Sequence, residues 1–437
     1  MSPEWVGIIF VVLFVIIILL RAQVGPSLLL IGLIGYMVLR SPEVAFTQLG
    51  MSTFNFAGNY TLSVIPLFVL MGLFLSYSGL SQDLYKAMDL IVGRVRGGLA
   101  MATIGASAVF SSISGSAMST TATMARVSLP EMKKYNYDAG LASASIAAGG
   151  TLGLLIPPSV TLILYGVLTM EPIGPLLIAG IIPGILLTIV FMLTIYVQLC
   201  LNPKLAPTRS ERTSLKTKIK ALGTIWPFLI IFILSIGGIY FGFFTPTEAA
   251  GIGASGALIV TILTRRIDWK RFVGALDESV RVTAMMFIIL IGANLFSNFL
   301  AISRLPMTIS TYIAELDVSK YTVLFIILVI YFILGMFMEG IAIQVLTLPI
   351  VYPIITGVGF DGVWFAVIFV MVTTIGLLTP PLGMNVYVIH GIDRSIPLQT
   401  IFISVIPMVI AMILFTILLI IFPEIVTYLP SKVNQSL

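Results

Sequence analysis

Apolar runs about as long as a bilayer is thick recur throughout this chain: residues 5–20 with their flanks, 24–39, 61–78, 174–200, 223–243, 246–264, 283–302 and 399–422. A helix needs about 20 predominantly apolar residues to cross the hydrocarbon core. Lipid offers no hydrogen bonds to the backbone, so only helices and closed barrels can span it. Barrel strands alternate in polarity over about ten residues, whereas these runs are continuous. The chain is 59% hydrophobic and 9% charged, against about 25% charged in soluble domains. The expected fold is therefore an all-α polytopic membrane protein.

The run from Trp5 to Leu20 lacks a basic start and a small-residue cleavage site, and a second apolar run follows at once. It reads as a retained helix rather than a signal peptide. The single Cys200 excludes an intramolecular disulfide and a cysteine metal cluster; at the end of an apolar helix it is expected to pack. The formal charge of +5 would suggest nucleic acid in a soluble chain. Here the basic residues sit between apolar runs, which is the signature of cytoplasmic loops instead.

Two stretches match. Gly150-Thr-Leu-Gly-Leu-Leu-Ile-Pro-Pro158 reappears as Thr373-Thr-Ile-Gly-Leu-Leu-Thr-Pro-Pro381, an offset of 223 residues at which Pro130 also falls on Pro353 and Asp138 on Asp361. Most of the chain is thus expected to be two copies of one unit, each with a Gly-x-x-x-Pro-Pro break in an apolar segment. Matched interruptions in two membrane halves point to a transporter's binding site.

Charge sets the expected topology. The linker 202–222 carries Lys204, Arg209, Arg212, Lys216, Lys218 and Lys220 and should be cytoplasmic. Counting spans from it leaves 19 of the 23 Lys and Arg inside, with only Arg40, Arg304, Lys320 and Lys432 outside. Both termini then lie outside, and the two halves are inverted. Residues 98–133 do not count as one span, because basic residues flank both ends and the first arm, 98–112, is too short to cross. They read as a re-entrant hairpin turning at Ser111-Ser-Ile-Ser-Gly-Ser116, with a counterpart at 320–357 turning near Gly335 to Gly340. Non-helical backbone at that depth is tolerable only inside protein or against water.

The expected organisation follows. Residues 1–97 are first-repeat scaffold helices with a cytoplasmic arm, and 98–170 hold hairpin 98–133 and broken helix 138–168. A connecting helix spans 171–201 and the linker 202–222. Second-repeat scaffold and arm occupy 223–319, hairpin 320–357 and broken helix 361–391 follow, and 392–437 is a final helix and tail.

The double prolines remove amide donors and block a helical turn, freeing carbonyls one turn earlier. A hard cation wants oxygen ligands. The breaks supply carbonyls, with Thr151, Gly153, Thr374 and Gly376 close by; the tips supply Ser111, Ser112, Ser114, Ser116, Gly335 and Glu339. The second arm of each hairpin begins near the midplane, where free amides suit an anionic substrate. Glu339 is the sharpest ionisable residue, because intramembrane charge is costly; it could be a cation ligand, a proton carrier or a tip residue facing water. The lone His390, near Arg394, reads as interfacial. Glu248, in Thr245-Pro-Thr-Glu-Ala-Ala-Gly251, reads as a helix-start acid. No enzyme constellation is present.

These residues resemble the large membrane subunit of the tripartite ATP-independent periplasmic (TRAP) transporters. The resemblance spans essentially the whole chain and rests on Phe244-Thr-Pro-Thr-Glu-Ala-Ala-Gly251, the serine-rich tip Ser111 to Thr121, Leu152-Gly-Leu-Leu-Ile-Pro-Pro158 and Gly376-Leu-Leu-Thr-Pro-Pro-Leu-Gly-Met-Asn385. It implies an elevator mechanism, in which a transport domain of hairpins and broken helices slides against a scaffold. It implies Na+ as coupling ion, with no organic cofactor. The implied Na+ sites fall on Ser111, Ser114, Gly153, Ile156 and Pro158, and on Gly335, Gly376, Thr379 and Leu382, mostly through backbone oxygens. Ser112, Ser116, Thr151, Glu339 and Asn385 are the substrate candidates. The implied partners are a periplasmic substrate-binding protein and a small four-helix membrane subunit, expected as a separate chain in the bacterial inner membrane. Family substrates are organic acids, including C4-dicarboxylates and sialic acid.

Two other readings compete. A stand-alone carboxylate symporter or exchanger would share the inverted-repeat fold without a binding protein. An ion channel would use a continuous pore and would not need hairpins from both sides.

Overall fold

The computed structural model describes residues 2–20, 22–92, 95–207, 223, 225–315 and 318–433. Most of the predicted basic linker, Arg21, Arg94 and Asp317 lie outside them. The described residues are helical, with no strand among them.

Helices α1 (Pro3–Leu19) and α2 (Val24–Leu39) are followed by α3 (Pro42–Ala57), α4 (Val64–Tyr77) and α5 (Leu80–Val92). Then come α6 (Gly98–Ser114), α7 (Ala117–Lys134), α8 (Ala139–Thr151) and α9 (Val160–Thr169), with α10 (Ile173–Ala179) and α11 (Ile181–Leu201) closing the first half. The second half opens on α12 (Trp226–Phe232), which continues through a π-helical turn, Ile233–Gly237, to Tyr240. It proceeds through α13 (Pro246–Leu263), α14 (Trp269–Ser303), α15 (Leu305–Glu315), α16 (Lys320–Phe337), α17 (Gly340–Gly357), α18 (Gly362–Gly376), α19 (Met384–Ile392), α20 (Leu398–Ile421) and α21 (Glu424–Val433). Seven helical stretches among the described residues are long and apolar enough to cross a membrane.

Starts recur at the spacing seen in the sequence: Pro3 and Trp226, Ala117 and Gly340, Ala139 and Gly362 are each 223 apart. Asp138 and Asp361 perform the same task, accepting from Leu141 N (2.9 Å) and Trp364 N (2.7 Å) to cap α8 and α18. Such a cap is worth about 1 kcal/mol. Glu248 closes a capping box with Thr245, as expected of a helix-start acid.

Three expectations change. Residues 42–57 form a helix, α3, begun by Ser41 accepting from Val44 N and by Pro42 in the first turn. The basic loop expected after 264, holding Arg265, Arg266, Lys270 and Arg271, is short: Asp268 caps a single helix of 35 residues, so Lys270 and Arg271 stand on α14 itself. That helix fuses the positions that α3 and α4 hold separately, because nothing in it matches the break at Gly58 to Ser63. Cys200 is exposed rather than packed.

Helix α2 lies along α14 so closely that a methyl at Gly32 would sit 2.8 Å from Phe296 N. Helix α1 adds Phe10 and Phe14 against Phe299 and Phe296, ring centroids 5.4 and 5.6 Å apart. Helix α4 packs on both α13 and α14. The second group of helices, α6 to α9 and α16 to α19, meets the first where Gly72 of α4 abuts the Ile113 carbonyl of α6.

Candidate functional site

Four chain interruptions form the site: the turn at Gly115-Ser116 between α6 and α7, the turn at Met338-Glu339 between α16 and α17, and the two double-proline breaks. The Pro157–Pro158 and Pro380–Pro381 peptide bonds are both cis.

At the first tip, Gly115 has φ +58°, a conformation that favours glycine. Ser116 accepts from Ser119 N and caps α7 (3.4 Å). Ser114 Oγ donates to Ser116 O (3.2 Å) and lies 2.6 Å from Thr120 Oγ1. The first break folds onto this tip. A methyl at Gly153 would stand 3.0 Å from Ser116 O, and one at Gly115 3.3 Å from Pro158 O. Ser111 and Ser112 are buried, donating to Ala108 O (2.8 Å) and Val109 O (2.7 Å); Thr151 does likewise to Ala148 O (2.6 Å). A hydroxyl that donates its proton to a carbonyl presents only lone pairs outward, which suits a hard cation.

The second half repeats the arrangement more tightly. A methyl at Gly376 would fall 2.2 Å from the Gly335 carbonyl carbon, so α16 and α18 cross backbone to backbone. Thr379 donates to Ile375 O (2.7 Å).

The prolines decide which carbonyls lose their helical donors: Gly153 and Leu154 in one half, Gly376 and Leu377 in the other. Both leucine carbonyls are rescued from beyond the break, Leu154 O by the Ser159 hydroxyl (2.6 Å) and Leu377 O by Asn385 N (3.2 Å). Gly376 O accepts from Thr379 N (3.1 Å), with a lone pair to spare.

Of the predicted cation ligands, Ser111, Ser114, Gly153 and Pro158 gather at the first tip, and Gly335 with Gly376 at the second. Ile156 is half-buried against Gly184 of α11. Leu382 is exposed, as are Pro380 and Pro381, whereas Pro157 and Pro158 are buried. Gly180 and Gly184 let α10 and α11 close on Leu155 and Ile156; the positions 223 further on are Ile403 and Pro407, and Ile403 is exposed. Among the substrate candidates, Asn385 is fully buried, its amide donating to Ala147 O (3.0 Å). Glu339 sits half-buried before α17 without capping it.

Sequence reasoning missed Gln344, Thr120 and Thr161. Gln344 is fully buried and donates to Thr161 O (3.0 Å). Helix α17 thus packs on α9, and α19 on α7 and α8, so each broken helix leans on the opposite half. No group of three His, Cys, Asp or Glu among the described residues could hold a metal ion. A separate cavity of about 720 Å³ lies away from the tips, lined by Gln48, Ser52, Asn55, Asn59, Glu171 and Asn294 among others.

Residues 10–425 match the family described as "Tripartite ATP-independent periplasmic transporter, DctM component". The chain belongs to this family. It is 33% identical over 401 residues to the C4-dicarboxylate TRAP transporter large permease protein DctM of Pseudomonas aeruginosa, covering 91% of this chain and 92% of that one. It is 30% identical to the sialic acid TRAP transporter large permease protein SiaM of Vibrio cholerae, over 98% and 97%. Among solved structures, the Alcanivorax borkumensis YdaH transporter superposes with a TM-score of 0.64 at 15% identity, covering 97% of this chain and 98% of that one. MtrF of Neisseria gonorrhoeae gives 0.60 at 14%, over 95% and 94%. At that identity the likeness speaks for the fold alone. The protein is thus a large permease subunit of a TRAP transporter, a multi-pass membrane protein whose relatives are permeases rather than enzymes.

Proposed function

We propose that this subunit carries an organic acid anion into the cell, driven by Na+ moving inward, after a periplasmic binding protein delivers the acid. The observation that carries the reading is the pair of junctions in which a hairpin tip closes on a helix break, Ser116 on Gly153 and Gly335 on Gly376. Each junction concentrates carbonyl and hydroxyl oxygens without a carboxylate cluster, a donor set that fits a monovalent cation. Na+ would be held by Ser111, Ser114, Gly153, Ile156 and Pro158, and by Gly335, Gly376, Thr379 and Leu382. Helices α7, α9, α17 and α19 all begin at these interruptions. Their free amides carry partial positive charge, which would receive a carboxylate near Ser112, Ser116, Thr151, Glu339 and Asn385.

The recurrence of elements at 223 residues supports two inverted repeats, and the separate packing of α1–α4 with α12–α14 supports a scaffold against which the tip-bearing helices move as an elevator. A small four-helix membrane subunit would complete the scaffold in the inner membrane, with both termini of this chain on the periplasmic side. Acids of the kinds named for the relatives, C4-dicarboxylates and sialic acid, are the first substrates to try. Uptake by proteoliposomes holding both membrane subunits, with and without the binding protein, tests the reading. Uptake by the permease alone would instead favour a stand-alone symporter.

A further inference from the structure

Two carboxamides join the halves of the site. Gln344, in the second turn of α17, donates to Thr161 O, three residues past Pro158. Asn385, four residues past Pro381, donates to Ala147 O, one turn before Thr151. The amide orientation is fixed in each case, because only the NH2 can face a backbone carbonyl. Gln344 and Asn385 are both 0% exposed. Among the described residues, Gln344 Oε1 and Asn385 Oδ1 have no partner, and neither have the hydroxyls of Thr161 and Thr121 beside the same joints. Thr121 stands against Gly150 of α8, on the turn that follows Ala147. It also occupies the position 223 residues before Gln344, so the two joints are near-equivalent places in the two halves. A buried amide with half its hydrogen bonding unmet is less favourable than an apolar side chain of the same shape. Simple packing would therefore be served better by Met or Leu. What the amides add is a fixed register between a segment just past one break and the opposite half.

We propose that Gln344 and Asn385 are positioning residues that couple the two helix breaks, so that ordering one break around a cation pre-orders the other. This rests on the Na+-coupled reading and adds to it a physical route for cooperativity between the sites. Thr161 and Ala147 flank the first break on either side. Asn385 bridges the second break through its own N–H to Leu377 O as well. Motion at either break is thereby passed across the interface by a single hydrogen bond.

The test uses the permease with its small subunit and binding protein in proteoliposomes, comparing the unmodified chain with Gln344→Met and Asn385→Leu. Uptake is followed against Na+ concentration. The unmodified chain should give a Hill coefficient of about 2, and each variant about 1; for Gln344→Met the maximal rate at saturating Na+ should change less than about threefold. Gln344→Asn, too short to reach Thr161 O, should behave like Gln344→Met. The rise of the thermal midpoint with Na+ concentration, read on purified protein, should lose the same steepness. Variants that keep the unmodified steepness while losing maximal rate would overturn the proposal. So would variants that yield no folded protein, because the residues would then hold the fold rather than position the breaks. An unmodified chain indifferent to Na+ would instead overturn the functional reading beneath it.

Discussion

Replacing Gly376 by alanine isolates the backbone crossing of α16 and α18 from every other property of the site. Gly376 does not occupy a left-handed conformation, so alanine is allowed there and, by helix propensity alone, would gain about 1 kcal/mol. The steric effect is opposite. The added methyl would lie 2.2 Å from the Gly335 carbonyl carbon and 2.6 Å from its Cα and oxygen. No rotamer change relieves a backbone contact, so the helices must part by about 1 Å to reach ordinary contact distance. Overpacking of this kind costs about 1–3 kcal/mol, and a 1 Å displacement of a binding constellation can cost about 100-fold in rate. Gly153→Ala is the internal control. Its methyl meets Ser116 O at 3.0 Å and Thr120 Oγ1 at 3.3 Å, which a few tenths of an ångström would relieve. Initial uptake rates at sub-saturating Na+ should fall about 100-fold for Gly376→Ala and less than about tenfold for Gly153→Ala. Equal rates for Gly376→Ala and the unmodified chain, at every Na+ concentration, would refute the reasoning.

Other outcomes follow from the same geometry. Gly72→Ala puts a methyl 2.0 Å from Ile113 O at the contact between the two helix groups, so uptake should slow roughly tenfold, read as initial rate at saturating substrate. Asp393, in the loop before α20, has its carboxyl held below the usual aspartate range by the Ser395 hydroxyl, aided by the Ser395 N–H and the Lys133 ammonium and opposed by burial. The stabilisation is present above the ordinary pKa of about 3.9 and is lost as pH falls through the folded value. Thermal unfolding should therefore show Asp393→Asn less stable at neutral pH and indistinguishable in strong acid. Because the sequence has one cysteine, a Cys200→Ser background allows single-site labelling. A cysteine at Ser2 should react from the periplasm and one at Ser210 only from the cytoplasm.

The helical class and the double-proline breaks could be read from the sequence because each follows from a local rule: run length in one case, proline chemistry in the other. Helix α3 was missed although Ser41 and Pro42 announce it, because residues 42–57 carry too many polar side chains to register as a span. The length of α14 was missed for the opposite reason, since its first turns are charged and read as loop. Within the site, the sequence pointed to Gly335 and Gly376 but not to their mutual contact, which depends on the crossing of helices about forty residues apart. Asn385 was legible as a polar residue past a break, and the structure adds its bond to Ala147 O across the halves. Gln344 carried no local signal; only its match to Thr121 at the repeat offset could have marked it.

The most direct measurement is uptake of a labelled C4-dicarboxylate or sialic acid into proteoliposomes containing this permease and its small subunit, under an inward Na+ gradient, with and without the binding protein. Uptake that needs both the gradient and the binding protein is the predicted result. Uptake that proceeds undiminished without either one would contradict it.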